Sequence, residues 1–305
     1  MDLRTHQAAL LMDQWSTQGA VLLLAIALIG ILVLVCRGRP RTAGWPQYVA
    51  LGSSFAAGIG LGPRAPGSPR VCMQSINGYP QQLARLLGLS LVDVSCSGAV
   101  TKHVLRGGQY FQRPQLDALA TNTELVTLTV GGNDVRYVGD LSMLAARRDR
   151  SFGGWLLRNF WKGPQAAKDR DFAGLQTEIR KALDEIRRRS PCARIIVATY
   201  PTIVPEGGVC PKLRLTESEA DLMREVGRRL SEATRAATIE AGAILVDMEK
   251  LSVHHHACAA IPWVNGSKQT AGTQFHPTLV GARATAQKIA RVLGEVAGGD
   301  PVSLD

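Results

Sequence analysis

The sequence predicts an α/β protein in which helices cover both faces of a parallel sheet, with a transmembrane helix before it. Short apolar runs alternate with longer segments of helical periodicity, and the runs are continuously apolar instead of alternating with polar residues. Such strands are typical of a parallel sheet that is buried on both faces. An uncharged stretch near the N-terminus predicts the additional helix.

The composition limits the classes of protein to which the chain can belong. With 305 residues, 46% of them hydrophobic and 20% charged, the chain can bury a large core, and it is not disordered, collagen-like or a multi-span membrane protein. The net charge of +10 favours anionic partners such as lipid headgroups or acidic glycans, although a solvated basic helix face would give the same value. Because no zinc-finger spacing, RNA-binding motif or helix-turn-helix pattern is present, we predict no nucleic-acid partner.

Residues 14–36 carry no charge, and residues 19–36 are almost entirely apolar. As a helix, residues 19–36 would extend about 27 Å, close to the thickness of the bilayer hydrocarbon. No small-residue cleavage site follows, so we predict an uncleaved membrane anchor; a signal peptide and a buried core helix are the alternatives. The predicted organisation is an N-terminal flank, this anchor, a basic linker, one main domain and a tail, at residues 1–18, 19–36, 37–45, 46–297 and 298–305.

The main domain begins with a strand, after which predicted helices and strands alternate. The apolar runs predict five strands, at residues 48–51, 91–94, 125–130, 194–198 and 244–246. Apolar residues spaced three and four apart predict helices at residues 79–87, 172–189, 216–241 and 277–296. The basic and aromatic segment 147–168 predicts an insertion or lid, which could hold a lipid or anionic glycan or pack on the domain.

Small and polar residues follow four of the predicted strands, at residues 52–54, 95–98, 131–134 and 200–201. Parallel sheets bind their ligands at the carboxyl ends of the strands. Ser54, at a strand-to-helix turn, can expose its hydroxyl and N–H, Gly98 can bring an N–H close to a ligand, and Asn133 offers an amide. Three such donors around one point form an oxyanion hole.

His276 precedes a proline that is suited to the first turn of a helix, where the imidazole can act as a general base. Each candidate alone is typical of ordinary structure, because serines cap helices and Gly-Gly-Asn-Asp forms turns. The four residue types in this order, at successive strand ends, indicate nucleophilic catalysis by Ser54 and His276, with Ser54, Gly98 and Asn133 in the oxyanion hole.

Four blocks in this order resemble the SGNH hydrolases, also called the GDSL esterase/lipase family, over residues 46–297. The blocks are Tyr48-Val49-Ala50-Leu51-Gly52-Ser53-Ser54, Ser95-Cys96-Ser97-Gly98, Gly131-Gly132-Asn133-Asp134 and Phe275-His276-Pro277. The resemblance implies a flavodoxin-like, three-layer α/β/α fold with about five parallel strands. It also implies hydrolysis of carboxylic esters through an acyl-enzyme, and we predict no cofactor.

The sequence departs from this family at two positions. Ser53 replaces the usual aspartate before the nucleophile, and Thr273 replaces the usual aspartate three residues before the histidine. A catalytic imidazole needs a partner at Nδ1 to fix its tautomer. Some members of the family use a main-chain carbonyl, so we expect a Ser–His dyad oriented by the carbonyl of Thr273 or by one beside it. Asp247 and Glu249 are the alternative carboxylates.

Six cysteines also bear on the location of the domain. The family resemblance suggests the disulfides Cys72–Cys96 and Cys210–Cys258, with Cys192 free; the alternative is that all are reduced. Disulfides imply an oxidising compartment, and hence a membrane-anchored extracytoplasmic domain or a secreted one. The arginines at 37, 39 and 41 oppose this, because the positive-inside rule would place the domain in the cytoplasm.

A metal site at His254–His256 and Cys258 is not expected, because consecutive residues rarely converge on one ion. Three functions stay open at this point. The first is an ester hydrolase acting on lipid or acylated carbohydrate, the second is an acyltransferase with the same machinery, and the third is a non-catalytic surface binding module. The presence of all four candidate residues argues against the third.

Overall fold

A computed structural model describes residues 19, 21–27, 30, 46–268 and 272–296. The described residues of the predicted anchor 19–36 are helical and exposed. No helix among the described residues has both the length and the apolar character to cross a membrane. The rest of the anchor, the flank 1–18, the linker 37–45 and the tail 298–305 lie outside the described residues, so the transmembrane helix stays a prediction.

Five parallel strands form the central sheet in the order β2-β1-β3-β4-β5. They are β1 (Tyr48–Gly52), β2 (Leu91–Asp93), β3 (Leu125–Thr129), β4 (Arg194–Ala198) and β5 (Ile244–Val246). All five lie at the predicted positions. The order is flavodoxin-like, as predicted, and the chain changes direction across the sheet between β1 and β3, where such folds bind ligands.

The α-helices of the main domain follow in chain order. They are α1 (Ser54–Ala57), α2 (Tyr79–Leu87), α3 (Thr101–Arg106), α4 (Tyr137–Ala146), α5 (Phe152–Phe160), α6 (Phe172–Arg189), α7 (Glu217–Glu240), α8 (Met248–Leu251) and α9 (Leu279–Val296). The last helix begins two residues later than predicted. The reason is that the Thr278 hydroxyl accepts the N–H of Gly281 at 3.0 Å and caps the helix, which leaves Pro277 outside it.

Two apolar cores lie on opposite faces of the sheet. Alternate residues of β1 point to opposite faces, so Val49 and Leu51 join one core while Tyr48 and Ala50 join the other. Helices α3, α4, α6 and α7 supply the first core, and α2 and α9 supply the second. The result is the predicted three-layer arrangement, with the carboxyl ends of all five strands along one edge.

Candidate active site

The nucleophile candidate lies at a sharp turn after β1. Gly52 has φ +134°, and a Cβ there would lie 2.3 Å from the carbonyl oxygen of Thr129. Gln115 holds both backbone groups of Gly52: its Oε1 accepts the N–H at 2.7 Å, and its Nε2 donates to the carbonyl at 2.9 Å. The chain therefore turns at once into α1, whose first residue is Ser54. The sequence analysis missed Gln115, which no sequence pattern marked.

Ser54 and His276, 222 residues apart in the chain, are in direct contact. The Oγ of Ser54 lies 2.9 Å from Nε2 of His276, and Nδ1 of the same ring lies 2.8 Å from the carbonyl oxygen of Gln274. A carbonyl only accepts, so Nδ1 carries the proton and Nε2 accepts from the serine hydroxyl. This is the tautomer that a general base requires.

The carbonyl that faces the imidazole belongs to Gln274, the residue beside Thr273. The carbonyl of Thr273 instead accepts the backbone N–H of His276 at 3.2 Å and Nδ2 of Asn265 at 3.2 Å. Both bonds close the turn before the histidine, in which Phe275 has φ +55°. With Thr273 used in this way, the carbonyl of Gln274 is the one that faces the ring.

The alternative carboxylates are engaged elsewhere. Arg235 donates to Asp247, with Nε 2.7 Å from Oδ2, and its Nη2 also donates to Glu249. Thr199 donates a further bond to Asp247 at 3.3 Å. Neither carboxylate orients His276 in this structure.

Burial lowers the pKa of His276, and the hydrogen bond to the Gln274 carbonyl opposes this effect only in part. The ring of Phe55 contributes to the apolar surroundings, with its centroid 5.2 Å from that of the imidazole. The neutral imidazole is therefore favoured, which is the state that can accept a proton.

The oxyanion-hole candidates lie on two loops that contact each other. Nδ2 of Asn133 donates to the carbonyl of Ala99 at 2.9 Å, and Asp134 accepts the hydroxyl of Thr101 at 2.6 Å. Gly98 has φ +82° and is exposed. In the described part of the chain, the N–H groups of Ser54 and Gly98 have no protein acceptor. They are thus available to a substrate, as is the second amide hydrogen of Asn133.

Tyr200, after β4, connects three strand ends and was not predicted as a site residue. Its hydroxyl accepts the N–H of Gly132 at 3.1 Å and lies 2.9 Å from Oγ of Ser53, which is fully buried. Burial raises the pKa of Tyr200 to about 12, so the hydroxyl stays protonated. The tyrosine thus supports the turn in which Ser53 replaces the aspartate. Its place at a strand end, already expected to carry chemistry, was the available signal.

Both expected disulfides are present, Cys72–Cys96 and Cys210–Cys258, and Cys192 is exposed and unpaired. The first bond lies two residues from Gly98 and holds its loop. Cys258 forms the second disulfide bond and is not a free thiol. Among the described residues, no three side chains of His, Cys, Asp or Glu are grouped so that they could hold a metal ion.

Comparisons with known proteins identify the class. The GDSL-like lipase/acylhydrolase family model matches residues 50–284. Lipase 2 of Streptomyces coelicolor is 32% identical over 299 residues, which cover 90% of this chain and 97% of that protein. The protein is accordingly a carboxylic ester hydrolase. More specifically, the chain belongs to the GDSL-like lipase/acylhydrolase family, the one that its four sequence blocks resemble.

Solved structures agree with this assignment. The crystal structure of phospholipase A1 from Streptomyces albidoflavus NA297 superimposes with a TM-score of 0.64 at 25% identity, covering 83% of this chain and 99% of that one. The extracellular lipase from Streptomyces rimosus shares the fold, with a TM-score of 0.63 at 24% identity over 79% of this chain and 97% of that one. Of the three functions left open by the sequence, ester hydrolysis is the one that the family supports.

Proposed function

We propose that the protein hydrolyses carboxylic esters through an acyl-enzyme on Ser54, with His276 as the general base. The observation that carries the proposal is the continuous chain of contacts from Ser54 Oγ to His276 Nε2, and from Nδ1 to the Gln274 carbonyl. A nucleophile, a base and a group that orients the base are the parts that this chemistry needs.

In the first half of the reaction, Nε2 of His276 takes the hydroxyl proton while Oγ of Ser54 bonds to the ester carbonyl carbon. The N–H groups of Ser54 and Gly98 and the amide of Asn133 stabilise the oxyanion that forms. The imidazolium then protonates the departing alcohol. In the second half, His276 deprotonates a water molecule that attacks the acyl-enzyme, and Ser54 leaves with the proton.

For the substrate, we propose esters of lipids in preference to acylated carbohydrates. Lipase 2 of Streptomyces coelicolor and the lipase of Streptomyces rimosus match over 97% and 92% of their own lengths, and one structural neighbour is named as a phospholipase A1. An exposed apolar helix at the edge of the sheet, described below, supports the same class.

We also propose that the catalytic domain acts outside the cytoplasm, secreted or anchored to the membrane through residues 19–36. The two disulfides support an oxidising compartment, and the similar lipase of Streptomyces rimosus is described as extracellular. Mapping of non-reduced peptides from the protein in its native compartment tests this. Free thiols at all four of these cysteines would refute it.

The test of the mechanism uses two adjacent serines. Ser54→Ala should lower kcat by about 10⁶-fold, as for other serine nucleophiles, and should abolish labelling by a fluorophosphonate. Ser53→Ala is the matched control: it removes a hydroxyl one residue away and should keep both activity and labelling of Ser54. Labelling at Ser53, or full activity of Ser54→Ala, would overturn the assignment.

A further inference from the structure

Helix α5 exposes an apolar face to solvent. Phe152, Trp155, Leu156 and Phe160 are spaced so that they share one face, and they are 74%, 46%, 39% and 71% exposed. Their rings contact one another, with centroids 5.7 Å apart for Phe152 and Trp155 and 5.8 Å apart for Trp155 and Phe160. Contiguous exposed apolar surface of this kind marks an interaction site.

The polar residues of the same segment hold the helix against the chain that immediately precedes it. Ser151 caps α5 by accepting the N–H of Gly154 at 3.1 Å, and Arg158 donates to the carbonyls of Arg147 and Asp149 at 2.7 and 2.8 Å. Gly154 is buried, and a Cβ there would lie 2.2 Å from the Asp149 carbonyl oxygen. One side of the helix therefore packs on residues 147–149, which ion pairs of Arg148 and Asp149 link to the domain, and the aromatic face points outward.

Helix α5 lies at the edge of the sheet that carries the candidate active site. The chain leaves β3 at the carboxyl end of the strand, passes Asn133, forms α4 and α5, and then enters α6, which returns to the opposite edge where β4 begins. Helix α7 also begins at the active-site edge, because it leads back to β5. Arg148 contacts Glu219 in the first turn of α7 at 2.6 Å.

Basic residues flank the aromatic residues of α5 in the sequence. The segment 147–168 contains a single acidic residue, Asp149, and six basic residues: Arg147, Arg148, Arg150, Arg158, Lys162 and Lys168. Asp149 is paired with Arg214 and so does not neutralise this surface. Among the described residues, no carboxylate lies within 4 Å of the side-chain nitrogens of Arg147, Arg150 or Lys162.

We infer that α5 docks the protein on the surface of an anionic phospholipid bilayer. Aromatic side chains insert at the boundary between headgroups and acyl chains, and flanking arginines and lysines bind anionic headgroups. An apolar patch alone would fit many partners. The unpaired Arg147, Arg150 and Lys162 beside it favour an anionic membrane. Docking would present the edge of the sheet that carries Ser54 to lipid esters. This consequence rests on the proposed function, but the docking itself is independent of it.

The experiment measures where Trp155 lies when the full chain is mixed with phosphatidylcholine vesicles that contain phosphatidylglycerol and brominated acyl chains. The difference in emission between the native chain and Trp155→Phe isolates Trp155 from the other tryptophans and keeps the aromatic face. We expect strong quenching of this difference signal. The predicted anchor would tether the native protein and the Trp155→Phe variant to the vesicles equally. Quenching of the difference signal therefore reports that α5 contacts the acyl chains, and not only that the protein is bound.

Charge reversal separates the proposed surface from general basicity. Arg147→Glu, Arg150→Glu and Lys162→Glu together should remove most of the quenching. The matched control reverses Arg187, Arg188 and Arg291, three exposed arginines near the ends of α6 and α9 at the opposite edge, and should keep it. Unquenched Trp155 emission, or equal losses in both triple variants, would overturn the inference.

Activity on two substrates distinguishes this inference from the proposed function. Phe152→Ser with Phe160→Ser should lower hydrolysis of phospholipid in the anionic vesicles, and hydrolysis of a soluble short-chain nitrophenyl ester should be unchanged. A native chain that is quenched yet inactive on both substrates would refute the proposed function and leave docking intact. A native chain that is active on both substrates without quenching would refute docking alone.

Discussion

His276 must be neutral to take the proton of Ser54, and its surroundings determine the pH at which it is neutral. Burial lowers its pKa from 6.5, and a carbonyl partner stabilises the imidazolium less than a carboxylate would. We therefore expect kcat/KM on a soluble ester to rise with pH through a midpoint below 6.5. A pH profile of the native enzyme tests this, and a midpoint above that value would indicate a carboxylate beside the ring.

Tyr200 is the residue whose hydroxyl is predicted to matter for both stability and rate. Tyr200→Phe leaves the N–H of Gly132 and the buried Ser53 hydroxyl without this partner, which should cost about 1–3 kcal/mol of stability. It should also lower kcat, because Gly132 precedes Asn133 of the oxyanion hole.

Tyr48→Phe is the matched control for this change. The Tyr48 hydroxyl is also buried and hydrogen-bonded, to Thr127 at 2.7 Å, but it lies at the start of β1, away from the site. Chemical denaturation and steady-state kinetics of both variants make the comparison. Equal losses of kcat would contradict the role given to Tyr200.

At the scale of elements, the loop after α1 supports the loop before His276. Gly60 has φ +77°, and a Cβ there would lie 2.5 Å from Oγ1 and 2.9 Å from the backbone nitrogen of Thr273. Gly60→Ala should displace the turn that aims the Gln274 carbonyl and lower kcat more than it raises KM.

Gly67→Ala serves as the control for Gly60→Ala. Gly67 has a similar φ of +74°, but a Cβ at this position would have no atom within 4 Å. Both substitutions force alanine into a left-handed conformation, and only the first creates a clash with the histidine loop. The kinetics of the two variants, measured below their melting temperatures, should therefore differ. Identical kcat values would show that the two loops are not coupled.

At the scale of the whole molecule, the sheet couples the two cores. Ile179 of α6 and Ile289 of α9 are fully buried on opposite faces. Ile179→Ala and Ile289→Ala should each cost about 2–5 kcal/mol, because each leaves a cavity. We expect a single unfolding transition in both variants, with circular dichroism and tryptophan fluorescence giving the same midpoint. Separate transitions would mean that the two faces unfold independently.

The tertiary structure completed the candidate site at positions where backbone geometry and long-range contacts decide. Thr273 and Gln274 offer adjacent carbonyls, and only the turn through Phe275 determines which of them faces the imidazole. Gln115 and Tyr200 act through contacts with residues 63 and 147 positions away, respectively, to which no local pattern points.

The sequence by itself determined the parallel sheet, its five strands and the order of the four blocks, because apolar runs and strand-end residues are local features with a local physical cause. It also predicted Ser54 and His276 as a pair, through a pattern spread along the chain, and the structure brings the two side chains into contact. Only the tertiary structure decided that Gln274 holds the histidine, that Arg235 occupies Asp247 and Glu249, and that α5 turns its aromatic face outward. These depend on angles and distances between elements, which residue identity alone does not specify.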